Sequence, residues 1–392
     1  MFHLKHHCHN PLHCILPPYL LKELAERGTA LQKERVLQTL KKSAEFRAVR
    51  QQMGEMIARA TVRTAAAGKQ RSIYSADYEE KLPGRKVRGE GDPATGDAAV
   101  DEAYDGAGST YDLFHDIYQR NSIDDQGMEL ISTVHYGKGY DNAFWNGEQM
   151  TYGDGDEDLP EADRLFNRFT IAIDVIGHEM THGVTEHEAG LVYFGQYGAL
   201  NESMSDVFGM LVKQRFLNQT ADQSDWILGA GLFTSNVNAQ GIRSMKAPGT
   251  AYDDPQLGKD PQPDHMDNIY TGFDDNGGVH INSGIPNRAF YIAATEIGGY
   301  AWEKAGRIWY IALRDKLTST SNFSAAAKIT YDVAGELYGA GSPEQQAVAK
   351  GWNTVGLSVT GENGGGGGLP GGCMVAPFVA LSSYLFSNHL QA

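Results

Sequence analysis

Residues 176–184 read IGHEMTHGV and lie inside a longer run, RFTIAIDVIGHEMTHGV, whose apolar letters recur at helical spacing. On a helix, positions four apart share a face, so His178 and His182 point the same way with Glu179 beside them. Two imidazoles at this spacing reach one divalent ion, and the adjacent glutamate is placed to take a proton from a water that zinc acidifies to a pKa of about 7. A buried helix with two hydrogen-bonded histidines would use the same letters. The rest of the chain has to discriminate.

A catalytic zinc takes three protein ligands and keeps one position open. The stretch GALNESMSDVFGMLVKQRF reads as a second helix and supplies Glu202, with Asp206 four residues later. Glu202 is the candidate third ligand, and Asp206 is placed to hold the outer ring nitrogen of a ligand histidine. Both acids sit among Ala199, Leu200, Met204, Val207 and Phe208, which argues against a solvated helix face. IPNRAFYIAATEIGG reads as a third helix. Upstream, over 73–158, short apolar runs are broken by Gly, Asp and Asn, and ISTVHYG and NAFWNGEQMTYG read as strands joined by tight turns. The expected fold class is α+β. A strand-rich N-terminal domain ends in the zinc-binding helix, a mainly helical C-terminal domain follows, and the active cleft lies between them.

Composition narrows the partners. The 392 residues carry a formal net charge of -16, so no basic surplus exists to displace phosphate counterions or to hold an anionic membrane. Neither nucleic acid nor a membrane span is expected; CMVAPFVALSSYLF near the C-terminus is short and proline-interrupted. The three cysteines, Cys8, Cys14 and Cys373, lie near the ends, leaving the long middle to fold without disulfides. His3, His6, His7, His9 and His13 with Cys8 and Cys14 form a terminal tract better suited to adventitious than to designed metal binding. DGDED aligns Asp154, Asp156 and Asp158 like the opening of a calcium loop, but Leu159 and Leu165 stand where that loop needs Gly and Glu, so the reading fails.

Together HEMTH, GALNESMSD, GYDNAFWNGEQMTYGDGD and DDNGGVHINSGIPN resemble the thermolysin family of zinc endopeptidases, in order and with compatible spacing, over roughly 73–359. The resemblance implies His178, His182 and Glu202 as zinc ligands, Glu179 as general base, and His280, oriented by Asp275, with Tyr193 as donors to the developing oxyanion. It further implies Asn142 and Ala143 binding substrate backbone, Arg243 donating to a substrate carbonyl, and Phe166, Phe169, Val175 and Ile242 walling an apolar pocket. Internal peptide bonds of proteins or peptides would then be cut before large hydrophobic residues, by a monomeric enzyme.

The N-terminal text, ILPPYLLKELAERG, resembles the short propeptide of the protealysin-like subgroup. The expected organisation is a propeptide over 1–64, an N-terminal peptidase domain over 65–190, a helical peptidase domain over 191–360, and a glycine-rich tether and tail over 361–392. The propeptide is expected to occupy the cleft, offering Tyr19, Leu20 and Leu21, and to be removed by self-cleavage within 53–68. No Sec-type signal begins the chain; the family's address favours secretion, with a cytoplasmic zymogen as the alternative. Calcium is not expected to be required. Relatives share calcium ions among acids near the zinc helices, whereas the matching positions here are Asp174, Lys213, Asp225 and Ala230. Lys213 is expected to lie between Asp174 and Asp225 as a built-in cation, the alternative being a lysine that reaches out to solvent and a site simply lost.

Overall fold

The computed structural model describes residues 13–42 and 68–359. The histidine-rich start, nearly all of the expected cleavage zone, and the glycine-rich tail fall outside the described residues.

Six strands form one sheet: β1 (His13–Cys14), β2 (Arg71–Ser75), β3 (Arg85–Gly89), β4 (Leu130–Val134), β5 (Ala143–Trp145) and β6 (Met150–Tyr152). Their order is β1-β5-β6-β4-β2-β3. The three inner strands β6, β4 and β2 run parallel, while β3, β5 and β1 add antiparallel to the flanks. The two runs read as strands are β4 and the β5–β6 hairpin. Its turn is held by Asn146, whose Oδ1 accepts from the amides of Glu148 and Gln149 at 2.9 Å. Asn-Gly at that point is a strong hairpin signal.

One helix of this half is absent from the strand-and-turn expectation. Helix α3 (Ala98–Asp112) is capped by Asp97, whose side chain accepts from the amides of Ala99 and Val100. Its buried face, Val100, Ala103, Tyr104, Ala107 and Tyr111, keeps a 3–4 spacing, but small residues and interior glycines weaken the apolar signal.

The zinc-motif helix is α4 (Ile173–His187), preceded by a 3-10 turn over Phe169–Ile171. Helix α5 (Gly195–Phe216) is buried continuously from Gly198 to Gln214, as befits a helix surrounded by protein. The two approach closely at Gly177 and Gly209. A Cβ on Gly209 would stand 2.5 Å from the Asp174 carbonyl oxygen and 2.9 Å from the His178 amide, so backbone contact there sets the spacing of the site. Helices α6 (Asp274–Asn282), α7 (Gly284–Ile297), α8 (Ala305–Ile311), α9 (Phe323–Tyr338) and α10 (Pro343–Thr354) complete the helical half. Among the described residues, no helix is long and apolar enough to cross a membrane.

Of the leader, α1 (Pro18–Arg27) starts on a proline, which loses nothing at a helix's first turn, and buries Leu20, Leu21 and Leu24. A second helix, α2, spans 30–42. Between β1 and α1 the fully buried Ile15 and Leu16 join the main apolar core, with Tyr19 packed against it.

Candidate active site

Helix α4 carries His178, Glu179 and His182, all buried. The Nε2 atoms of the two histidines lie 3.0 Å apart, and Glu202 on α5 brings its carboxylate to 3.5 Å from His178 Nε2 and 3.4 Å from His182 Nε2. The outer nitrogens are committed elsewhere. His178 Nδ1 lies 2.7 Å from Asp206 Oδ1, and His182 Nδ1 lies 2.8 Å from Asn201 Oδ1. With those protons donated outward, both Nε2 atoms turn lone pairs toward each other and toward a carboxylate. Such an arrangement is repulsive unless a cation lies among the three.

The spacing fits one. Tetrahedral bonds of about 2.0–2.1 Å put ligand atoms about 3.3 Å apart, close to the separations found here. The Glu202 Oε2 atom is buried without a hydrogen-bond partner. His178, His182 and Glu202 are also the sole histidine, cysteine and carboxylate group among the described residues compact enough to hold a metal ion. The donor set of two imidazoles and one carboxylate suits zinc in a catalytic setting, with a coordination position left over.

Glu179 follows His178 on α4, and the Glu202 charge acts on it. Its Oε2 accepts from the Trp145 amide at 3.1 Å, and its Oε1 has no partner. Burial first, then the Glu202 charge, push its carboxyl well above the usual range. Tyr193 donates its hydroxyl to Glu202 Oε1 and lies 3.2 Å from His280 Nε2. Burial opposes charge on His280, but Asp275 and then Glu202 outweigh it and hold the imidazole up to about 9. Asp275 grips that ring at 2.6 Å and accepts from the amides of His280 and Ile281. It does so from four consecutive left-handed residues, Asp275 to Gly278, a turn that glycine makes inexpensive.

Asp206 is held by Arg243, whose Nε and Nη2 each donate at 2.8 Å, and by Asn287 Nδ2 at 2.8 Å. Burial raises its pKa, yet Arg243 and His178 overcome this and keep it below the usual carboxylate range. Asn201, Ser205 (3.0 Å from His182 Nδ1) and Asn287 were not anticipated from sequence. The signal for the first two was present: they share the α5 face of Glu202 and Asp206 at helical spacing.

The leader runs along β5. The Ile15 amide donates to the Ala143 carbonyl at 3.2 Å, the Leu16 amide donates to Asn142 Oδ1 at 3.2 Å, and Arg243 Nη1 reaches the Ile15 carbonyl at 3.5 Å. Asn142, Ala143 and Arg243 thus meet on one extended segment of the leader. Phe166, Phe169, Val175 and Ile242 are fully buried in the main apolar core, and the two phenyl rings sit 5.9 Å apart.

The lysine expected between two acids is there. Lys213 Nζ lies 2.8 Å and 3.0 Å from the Asp225 carboxylate oxygens, 2.9 Å from the Ile227 carbonyl and 3.5 Å from Asp174 Oδ2.

Comparison with known proteins agrees with this geometry. Residues 28–186 match the family profile described as "Thermolysin metallopeptidase, catalytic domain", and residues 189–357 the one described as "Thermolysin metallopeptidase, alpha-helical domain". An extracellular metalloprotease of Pectobacterium carotovorum subsp. carotovorum is 49% identical over 350 residues, covering 89% of this chain and 97% of the relative. Protease PrtS of Photorhabdus sp. (strain Az29) is 47% identical, covering 89% of this chain and 93% of the relative. The solved precursor of protealysin, a metalloproteinase from Serratia proteamaculans, superposes with a TM-score of 0.79 at 50% identity, covering 88% of this chain and all of that one. The chain belongs to the thermolysin family of metallopeptidases.

Proposed function

We propose that the chain is a zinc-dependent neutral endopeptidase, made as a self-processing zymogen and cutting internal peptide bonds before large hydrophobic residues. The observation that carries this reading is the pair of His178 and His182 Nε2 atoms 3.0 Å apart beside Glu202, with Glu179, one of whose buried oxygens has no partner, between them in the sequence of α4. His178, His182 and Glu202 hold the metal, and Asp206 and Asn201 fix the tautomers of the two imidazoles. When bound, zinc supplies a Lewis acid that polarises the scissile carbonyl and acidifies water. Glu179 takes the proton of the attacking water and passes it to the departing amine. Tyr193 and the protonated His280 donate to the oxygen on which negative charge develops, with Asp275 holding the His280 ring.

Asn142, Ala143 and Arg243 bind the substrate backbone as they bind residues 15 and 16 of the leader. Phe166, Phe169, Val175 and Ile242, all buried apolar residues, are the proposed wall of a pocket for a large apolar residue after the cut bond. Residues 1–64 form the propeptide, 65–190 and 191–360 the two halves of the enzyme, and 361–392 a tether and tail. Relatives named extracellular in Pectobacterium and Serratia support secretion.

The test is casein hydrolysis by purified protein with and without a zinc chelator, alongside the Glu179→Gln variant. Wild type should lose activity on chelation and regain it with zinc, and the variant should accumulate at full length. Chelator-insensitive cleavage, or a variant that processes itself normally in the absence of other proteases, would overturn the reading.

A further inference from the structure

Helix α2 of the leader docks by charge. Its Gln32, Arg35, Thr39 and Lys42 recur three or four residues apart and so form one stripe. Arg35 Nη2 donates to Asp158 Oδ2 at 2.7 Å, Nη1 to the Gly155 carbonyl at 3.5 Å, and Asp156 Oδ1 stands 3.8 Å from Nη1. The other oxygen of Asp156 is already used, accepting from the amides of Leu165 and Phe166. Lys42 pairs with Glu80 at 2.9 Å, and Thr39 Oγ1 accepts from the Asp141 amide. Asp141 itself is only 2% exposed, and its Oδ1 has no partner. Among the charged groups it faces are Asp156, Asp158, Arg35 and Lys42. The guanidinium also needs room: a Cβ on Gly139, at φ +62°, would lie 2.6 Å from Arg35 Nη1. Two carboxylates and one carbonyl therefore line the guanidinium, the Asp141 charge acts on it from nearby, and the missing side chain of Gly139 leaves it room.

This cradle adjoins the cleft on a definite side. The leader runs from Ile15 at Ala143 to Leu16 at Asn142, and Asp141 is the next residue along that edge. A substrate lying in the same direction would carry its residues downstream of the cut bond toward Asp141. Once the leader leaves, Arg35 leaves with it, and the three acids lose their counter-ion.

We propose that Asp141, Asp156 and Asp158, with Gly139 and Gly155, form a subsite of the mature enzyme for an arginine or lysine side chain downstream of the scissile bond, held by Arg35 in the zymogen. This deepens the endopeptidase reading and rests on it. Arg35 is the template: the zymogen fills the subsite with the same chemistry that the mature enzyme seeks in its substrates.

The test uses mature enzyme obtained by processing of the full chain, and quenched fluorescent peptides with leucine after the cut bond. Each of the positions that follow carries arginine, alanine or glutamate in turn. At one of them arginine should raise kcat/KM over alanine roughly tenfold, the yield of one charge-assisted hydrogen bond to a half-exposed carboxylate, and glutamate should lower it. Asp158→Lys, a change at an exposed position, should invert the arginine-to-glutamate order, and high salt should flatten it. Equal kcat/KM for all three residues at every position, with the alanine peptide cleaved normally, would overturn the subsite while leaving the peptidase reading intact. Failure to cleave any of the peptides would instead refute the peptidase reading, and the subsite with it.

Discussion

Replacing Lys213 by methionine keeps the apolar stem and removes the cation, so it isolates what the ammonium does. Lys213 is 8% exposed and Asp174 is 1% exposed. Burial raises the Asp174 pKa, and Lys213 is the largest influence pulling it back. Removing one partner of a buried ion pair costs roughly 3–5 kcal/mol, because the remaining charge is left uncompensated. Two features reduce that figure here. Asp174 keeps hydrogen bonds from the amides of Val175 and Gly229, and the side chain of Asp225 is 48% exposed, so water screens it. The expected loss is about 2–4 kcal/mol, or a fall of roughly 2–5 °C in Tm for a chain of this size. The assay is a thermal melt of full-length protein carrying Glu179→Gln to stop self-digestion, with and without calcium or a calcium-selective chelator. Lys213→Met should melt lower, and adding Asp174→Asn should recover much of the loss. Neither calcium nor its chelator should move the Tm of the parent. An unchanged Tm in Lys213→Met, or a calcium-dependent rise of several degrees in the parent, would refute the built-in cation.

Gly209→Ala should push α4 and α5 apart, since the new methyl meets backbone atoms of Asp174 and His178. We expect a loss of about 1–3 kcal/mol and a reduced zinc content per chain by metal analysis; full zinc occupancy with unchanged Tm would contradict it. Asp275→Asn should lower kcat by about tenfold or more with little change in KM, because it frees the His280 ring while leaving substrate contacts in place; unchanged kcat would remove Asp275 from the site. His135 is held at about 9, first by its hydrogen bond to Asp154, then against burial, with Asp97 adding to it. A raised histidine pKa stabilises below the unfolded value near 6.5, and the effect is lost as pH rises through about 9. His135→Asn, which tolerates the φ of 54°, should therefore cost about 1–2 kcal/mol at pH 6 and much less at pH 10. A gap between the two urea midpoints that does not change with pH would refute this.

What could be read from sequence was local. His178, Glu179 and His182 share one turn of one helix, and Glu202 and Asp206 one turn of the next, so helical spacing alone put each group on a common face. The β5–β6 hairpin was legible for the same reason, its turn being encoded in Asn-Gly. Helix α3 escaped because its buried face is built largely of alanine, glycine and tyrosine, whose burial reflects close packing rather than apolar bulk.

The tertiary structure decided everything that joins distant segments. Arg243 was expected to face a substrate carbonyl; it also anchors Asp206 with two hydrogen bonds, a pairing 37 residues apart. The run DGDED fails as a calcium loop, and the fold gives each acid a separate duty. Asp154 holds His135, Asp156 caps the amides of Leu165 and Phe166, and Asp158 takes Arg35 of the leader. Alternating acids carry no local period that names their partners. Only the chain's return path brings α2 over 139–158, and only there do two carboxylates and a carbonyl line a guanidinium. Periodicity reports which side of its own helix or strand a residue occupies, whereas an ion pair depends on which other segment the fold packs against that side.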